Sequence, residues 1–90
     1  MDRKLYFTLK MLSLSGLLAA AVREADGRLK LWIGDAASGV RATTVLHRED
    51  LAVEWLVAQA LHHYPQSDFA KVRALLAAAV AQSQRRTDAL

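Results

Sequence analysis

The sequence contains no cysteine, one proline and four glycines. Disulfides and thiolate metal sites are therefore excluded, and the composition fits a reducing, cytoplasmic location. Because linkers are rich in proline and glycine, their scarcity predicts a single domain over residues 1–90. Residues 84–90 contain two arginines and no apolar periodicity, which predicts a frayed tail. No uncharged apolar run approaches the ~20 residues of a membrane-spanning helix, so we expect no membrane association.

The N-terminal segment starts with charged residues and continues with an apolar run, as a secretory signal peptide does. Lys10 interrupts that run, and helix-like sequence continues to Ala25, which favours a structural helix over a signal peptide. Apolar residues at three- and four-residue spacing predict one long helix over residues 3–25, ended by Asp26-Gly27. The alternative is a strand over residues 3–10, where apolar and polar side chains also alternate.

The stretch 28–46 has the pattern of a β-hairpin. Leu29, Leu31 and Ile33 alternate with cationic and aromatic residues, so one face of this strand is apolar. Residues 34–39 have turn composition, and residues 40–46 resume with β-branched side chains. Because a lone hairpin is marginally stable in water, we expect helices to cover its apolar face.

Two helices are predicted after the hairpin. The first runs from about Glu49 to His63 and is stopped by Pro65, which cannot donate the next backbone hydrogen bond. Ser67 is a favourable N-cap for the second, whose apolar residues keep the spacing of a single face. The predicted fold is therefore α+β: an N-terminal helix, a β-hairpin and two C-terminal helices packed on one face of the hairpin.

No residue pattern indicates a named chemistry. His47, His62 and His63 lack the spacing of a chelating pair on one helix face, and histidines at a helix end complement the helix dipole. The sequence also lacks a nucleophile elbow and a glycine-rich phosphate loop. We therefore expect a non-enzymatic protein with no catalytic residue, no metal ligand and no cofactor.

One group of residues on the hairpin is a candidate binding surface. Arg28, Lys30, Trp32, Arg41 and Thr43 are predicted to share its outer face, where cations beside an indole can hold a phosphate or stack a base. Two other interpretations stay open. The cationic stems can simply shield the exposed indole, or a second subunit can cover it.

The segment RATTVLHREDLAVEWLVAQALHHYPQSDFAKVRALLAAAV resembles the strand–helix–loop–helix order of ribbon-helix-helix DNA-binding dimers. The resemblance covers a little under half of the chain, over residues 41–80. It implies a strand that pairs with its twin across a dimer and that sends Arg41, Thr43 and Val45 into the major groove. A DNA-binding regulator is accordingly the alternative function, although nucleic acid is not the favoured partner.

The favoured function is a small interaction or accessory domain. The first two predicted helices have apolar residues around more than half of their circumference. A monomer of 90 residues has too few helices and strands to cover all of this apolar surface. We therefore predict a homodimer buried through one or both of these helices, with Leu51, Trp55 and Ala58 as candidate interface residues. Another protein is the second possible partner.

Overall fold

The computed structural model describes residues 2–89, with side chains described as far as Gln84. The elements in chain order are helix α1 (Arg3–Leu14), strands β1 (Leu17–Arg23), β2 (Leu29–Asp35) and β3 (Gly39–Leu46), and helices α2 (Asp50–His63) and α3 (Asp68–Ala89). The strands form one antiparallel sheet in the order β1-β2-β3. The α+β class, the hairpin and the two C-terminal helices are thus confirmed.

The N-terminal helix is much shorter than predicted, because α1 ends at Leu14 and residues 17–23 form β1. The alternative strand over residues 3–10 is also wrong, since those residues lie within α1. The break comes at Gly16, whose φ of +84° is a left-handed conformation that glycine adopts at little cost. The alanines of β1 favour a helix locally. Pairing along the whole length of β2 outweighs that preference.

Both turns of the sheet differ from the predicted ones. Asp26-Gly27 forms the turn between β1 and β2 instead of ending a helix, and Gly27 has a φ of +88°. The Asp26 carboxylate accepts a hydrogen bond from the Arg28 backbone N–H at 3.0 Å. The second turn is only Ala36–Ser38, because β2 continues through residues 34 and 35, which were predicted to be turn.

The core lies between the inner face of the sheet and the first two helices. Leu29, Leu31 and Ile33 are buried on β2, against Leu5 and Leu12 of α1 and Leu56 of α2. Burial of each such side chain contributes about 1.5–3 kcal/mol. The small, fully buried Ala52 and Ala60 let α2 approach closely. The predicted covering of the hairpin by helices is therefore confirmed, with α1 and α2 supplying it.

Helix α3 starts in contact with the body and then leaves it. Ser67 caps it as predicted, since its Oγ accepts a hydrogen bond from the Ala70 N–H at 3.2 Å. Phe69 and Ala70 are buried, whereas every residue from 71 to 84 is exposed. The radius of gyration is 15.1 Å, against about 12 Å for a compact chain of this length. The molecule is therefore elongated, with a long axis of 53 Å.

The predicted frayed tail lies only partly within the described residues. The backbone is helical through Ala89, while Leu90 and the side chains beyond Gln84 are outside the described part. Across residues 2–89, no helix combines the length and the apolarity that crossing a bilayer requires.

Candidate functional site

The outer face of the sheet, opposite the helices, is open and mainly apolar. The strand register places eight side chains on it, from here on the open sheet face: Leu18, Ala20 and Val22 of β1, Lys30 and Trp32 of β2, and Val40, Thr43 and Val45 of β3. Four of the aliphatic side chains are exposed and Trp32 is half-buried. Lys30 is the one charged member of the set, so this face is a poor electrostatic match for a nucleic acid backbone.

The structure brings three of the five predicted site residues together on this face. Lys30, Trp32 and Thr43 line a shallow depression with Val40. The Thr43 hydroxyl donates a hydrogen bond to the Leu31 carbonyl oxygen at 2.9 Å, so its own chain already satisfies it. The depression therefore offers an indole and one ammonium group to a ligand.

The other two predicted residues lie elsewhere. Arg28 sits in the β1–β2 turn, where its Nε donates to the Asp26 carboxylate at 2.6 Å. Arg41 lies in a β-bulge, because Ala42 pairs with Ile33 while Val40 pairs with Gly34. A bulge inserts an extra residue and re-aims its side chain. The expected cluster of three cations on one face is consequently reduced to a single lysine.

The bulge brings Arg41 near Asp35 and Tyr64. The Asp35 carboxylate accepts hydrogen bonds from the Ala37 N–H at 2.9 Å and the Ser38 N–H at 2.7 Å, which closes the β2–β3 turn. The Ser38 hydrogen bond is the main reason why the pKa of Asp35 is lowered. Burial, followed by the neighbouring Asp35, raises the pKa of Tyr64. Tyr64, at the end of α2, therefore lies beside the carboxylate that closes the β2–β3 turn.

The Tyr64 hydroxyl group is buried at this junction. No hydrogen bond shorter than 3.5 Å reaches it from the described residues. Sequence reasoning missed this cluster, because the bulge and the contact across the fold leave no local signal. The sequence predicted only that Asp35 and Ser38 lie in a turn.

We predict that removing the Asp35 charge makes the free energy of unfolding fall less steeply as the pH is lowered. A carboxyl whose folded pKa lies below its usual value of 3.8 stabilises the fold above that pH. This contribution is lost as the pH falls through the folded pKa. Asp35→Asn keeps the acceptor oxygen for the turn but cannot titrate. Urea midpoints between pH 7 and pH 3 should therefore fall less steeply for Asp35→Asn than for the unchanged chain; equal slopes would contradict the assignment.

A groove runs between α1 and the start of α3. It has a volume of about 490 Å³ and an apolar lining from both helices: Phe7, Met11 and Leu14 of α1 with Phe69, Val72 and Leu76 of α3. At its rim lie Asp68 and Arg73, one acid and one base. The Arg73 guanidinium lies 5.5 Å from the centre of the Phe69 ring, a distance suited to a cation–π contact.

The groove continues into an apolar stripe along α3. Val72, Leu75, Leu76 and Val80 are all more than half exposed, Leu75 reaching 71%. The sequence predicts this single apolar face from its three- and four-residue spacing. What the sequence does not reveal is that the monomer leaves it uncovered.

The candidate interface residues on α2 occupy two environments. Leu51 and Ala58 are exposed, seven residues apart on one side of the helix. Trp55 is half-buried and packs against the core, so much of its indole is already covered within the chain. This side of α2 is a smaller apolar surface than the groove and stripe.

The histidines, aspartates and glutamates of the described residues are the remaining candidates for a metal site. Within the described residues, no group of three histidine, aspartate or glutamate side chains is placed to hold a metal ion. His62 and His63 stack edge to face, with ring centroids 4.6 Å apart. Comparison of the chain with protein-family models, with curated proteins and with solved structures finds no match.

Proposed function

We propose that this chain is a small non-enzymatic interaction or accessory domain, cytoplasmic, which self-associates through the apolar faces of its helices. The observation that carries this proposal is the stripe of α3, whose side chains Val72, Leu75, Leu76 and Val80 extend from the body into solvent. Contiguous exposed apolar surface on a small protein is typical of an interaction site. Residues 71–84 of this helix are all exposed, and a helical stretch without tertiary packing of its own is stabilised when a partner covers its apolar face.

The proposal predicts a dimer that a single stripe substitution disrupts. Leu75 is 71% exposed in the monomer, so Leu75→Glu leaves the core untouched. In a dimer the new carboxylate loses its hydration, which costs several kcal/mol. We expect the unchanged chain to sediment as a dimer at micromolar concentration. The Leu75→Glu chain should sediment as a monomer whose near-ultraviolet circular dichroism, which reports the packing of Trp32 and Trp55 in the body, is unaltered.

The matched control lies on the opposite side of the same helix. Ala81 is six residues from Leu75, about 120° away from it around the axis and about 170° from the middle of the stripe. Ala81→Glu should therefore leave the dimer intact. If the unchanged chain still sediments as a monomer at a protein concentration about 100-fold above micromolar, the proposed self-association is wrong.

A DNA-binding regulator is the second candidate function. The observation in its favour is that β3 is an edge strand, so its free side can pair with a second copy, as the ribbon-helix-helix resemblance requires. Its other side pairs with β2 of the same chain. Lys30 and Thr43 face outward nearby, whereas Arg41 lies in the bulge, close enough to Asp35 to help lower the pKa of its carboxyl.

The regulator hypothesis makes a salt-dependent prediction. Binding to random duplex DNA must weaken steeply between low and moderate salt, because phosphate contacts release counterions. Lys30→Ala should reduce both the affinity and the salt slope, and Arg28→Ala should have a smaller effect because Arg28 is paired with Asp26. Fluorescence anisotropy measures both. Absence of binding at low salt leaves the interaction domain as the sole proposal.

A further inference from the structure

We propose that the groove between α1 and α3 is the docking site for α3 of a second copy of this chain. The dimer is then a four-helix bundle made from two α1 and two α3 helices. The inference rests on the proposed self-association and specifies which helices perform it.

The groove and the helix that fills it are parts of one continuous surface. Val72 and Leu76 line the groove and also belong to the stripe of α3. A two-fold axis near these residues therefore places the stripe of each copy against the groove of the other. Such an isologous contact uses the same patch twice and closes on itself, which is the commonest geometry of homodimers.

The exposed apolar area matches what a stable dimer requires. Seven side chains contribute to it, each at least half exposed: Phe7, Met11, Leu14, Val72, Leu75, Leu76 and Val80. An aromatic side chain covers roughly 150–250 Å² and an aliphatic one somewhat less, so these side chains offer on the order of 600 Å² per copy. Specific interfaces bury about 800 Å² per partner. The uncovered surface is thus of the size that a second copy would bury.

The charges around the groove also fit a second copy. The rim carries Asp68 and Arg73, one of each sign, so it has no net charge to attract a nucleic acid or an acidic peptide. In a two-fold arrangement the acid of one copy can approach the base of the other. The lining itself is apolar except for Thr8 and Ser15, and the Thr8 hydroxyl donates to the Lys4 carbonyl oxygen at 2.8 Å. An apolar helix with a neutral flank is therefore the matching occupant.

Two adjacent aromatic residues of α1 provide the decisive comparison. Phe7 is 54% exposed and Tyr6 is 55% exposed, but only Phe7 lines the groove. Both can be replaced by glutamate without disturbing a buried side chain. We expect Phe7→Glu to raise the dimer dissociation constant by about 100-fold or more, since a buried unpaired carboxylate costs several kcal/mol. Tyr6→Glu should change it by less than about threefold. Sedimentation equilibrium measures both.

The absence of cysteine allows the occupant to be identified directly. Met11→Cys in one chain, mixed with Ala79→Cys in a differently tagged chain, should give a mixed dimer that a short bismaleimide cross-links. Met11 lines the groove, and Ala79 lies about 30° from the middle of the stripe. Ala81→Cys replaces the same residue type on the far side and should cross-link poorly with Met11→Cys. Circular dichroism of each variant checks that it is folded.

The outcomes separate this inference from the proposed function. A dimer that resists Phe7→Glu and shows no preference for Ala79→Cys over Ala81→Cys overturns the groove as docking site, while self-association stands. A dimer broken by Leu75→Glu but not by Phe7→Glu also overturns it, because the α3 helices then pair outside the groove. A chain that stays monomeric removes both. The inference is supported if Phe7→Glu but not Tyr6→Glu breaks the dimer and if Met11→Cys cross-links to Ala79→Cys but poorly to Ala81→Cys.

Discussion

Replacing Gly34 with alanine is expected to destabilise the fold by about 3 kcal/mol, the upper part of the range for an inserted methyl group in a packed site. A Cβ at Gly34 would lie 2.0 Å from the Gly39 carbonyl oxygen and 2.8 Å from the Val40 Cα. Both atoms belong to the backbone, so no side-chain rotation relieves the clash. The strands must separate at the bulge, which disturbs the β2–β3 pairing and the turn fastened by Asp35.

Gly27→Ala is the matched control for Gly34→Ala. Gly27 lies in the other turn of the sheet with a φ of +88° and nothing within 4 Å of an added Cβ. Its substitution therefore costs only the left-handed backbone penalty, about 1–2 kcal/mol. Urea unfolding followed by tryptophan fluorescence measures both variants. A loss at Gly34 no larger than that at Gly27 would show that the strands do not approach as closely as the bulge requires.

Gly34 also illustrates where sequence reasoning succeeds and where it fails. The alternation of Leu29, Leu31 and Ile33 predicts the buried face of β2, because side chains of a strand point to opposite sides in turn. The same reasoning assigned Gly34 to a turn, since glycine is most often found there. Its role is instead a close approach between two backbones. That requirement comes from the neighbouring strand and leaves no mark in the local pattern.

The first strand was missed for a related reason. Residues 17–23 are mostly leucine and alanine, and neither their composition nor their spacing distinguishes a strand from a helix. Gly16 was the available signal, since a glycine at this point can end one element and begin another. Hydrogen bonding to β2 then decides the conformation. The choice is made by the tertiary structure and not by local propensity.

The binding surfaces were predictable only in part. Alternation along β2 correctly placed Lys30 and Trp32 on the outer face, opposite the buried leucines. The bulge breaks the alternation of β3, so Arg41 could not be placed by counting. The groove joins residues of α1 to residues of α3 that are some sixty positions away in sequence. Such a surface becomes visible only when the chain is folded.

Leu12→Ala is expected to destabilise the monomer by about 3 kcal/mol, within the range for removal of a fully buried leucine side chain. Leu12 is completely buried between α1 and the sheet, whereas Leu14, two residues on in the same helix, is 71% exposed. Leu14→Ala should change the stability of the isolated monomer by no more than about 0.5 kcal/mol. Urea unfolding at submicromolar protein concentration, where dimers dissociate, measures both values.

The concentration dependence of the unfolding midpoint should further distinguish Leu12→Ala from Leu14→Ala. Self-association stabilises the folded state by mass action, so the unfolding midpoint of the unchanged chain should rise with concentration. Leu12→Ala removes core packing and leaves the groove intact, so its midpoint should rise in parallel with that of the unchanged chain from a lower starting value. Leu14 lines the groove, so Leu14→Ala should start near the unchanged chain and rise less. Parallel rises for all three chains would mean that the groove stays open in the dimer, because a residue that touches the partner must change how strongly concentration stabilises the fold.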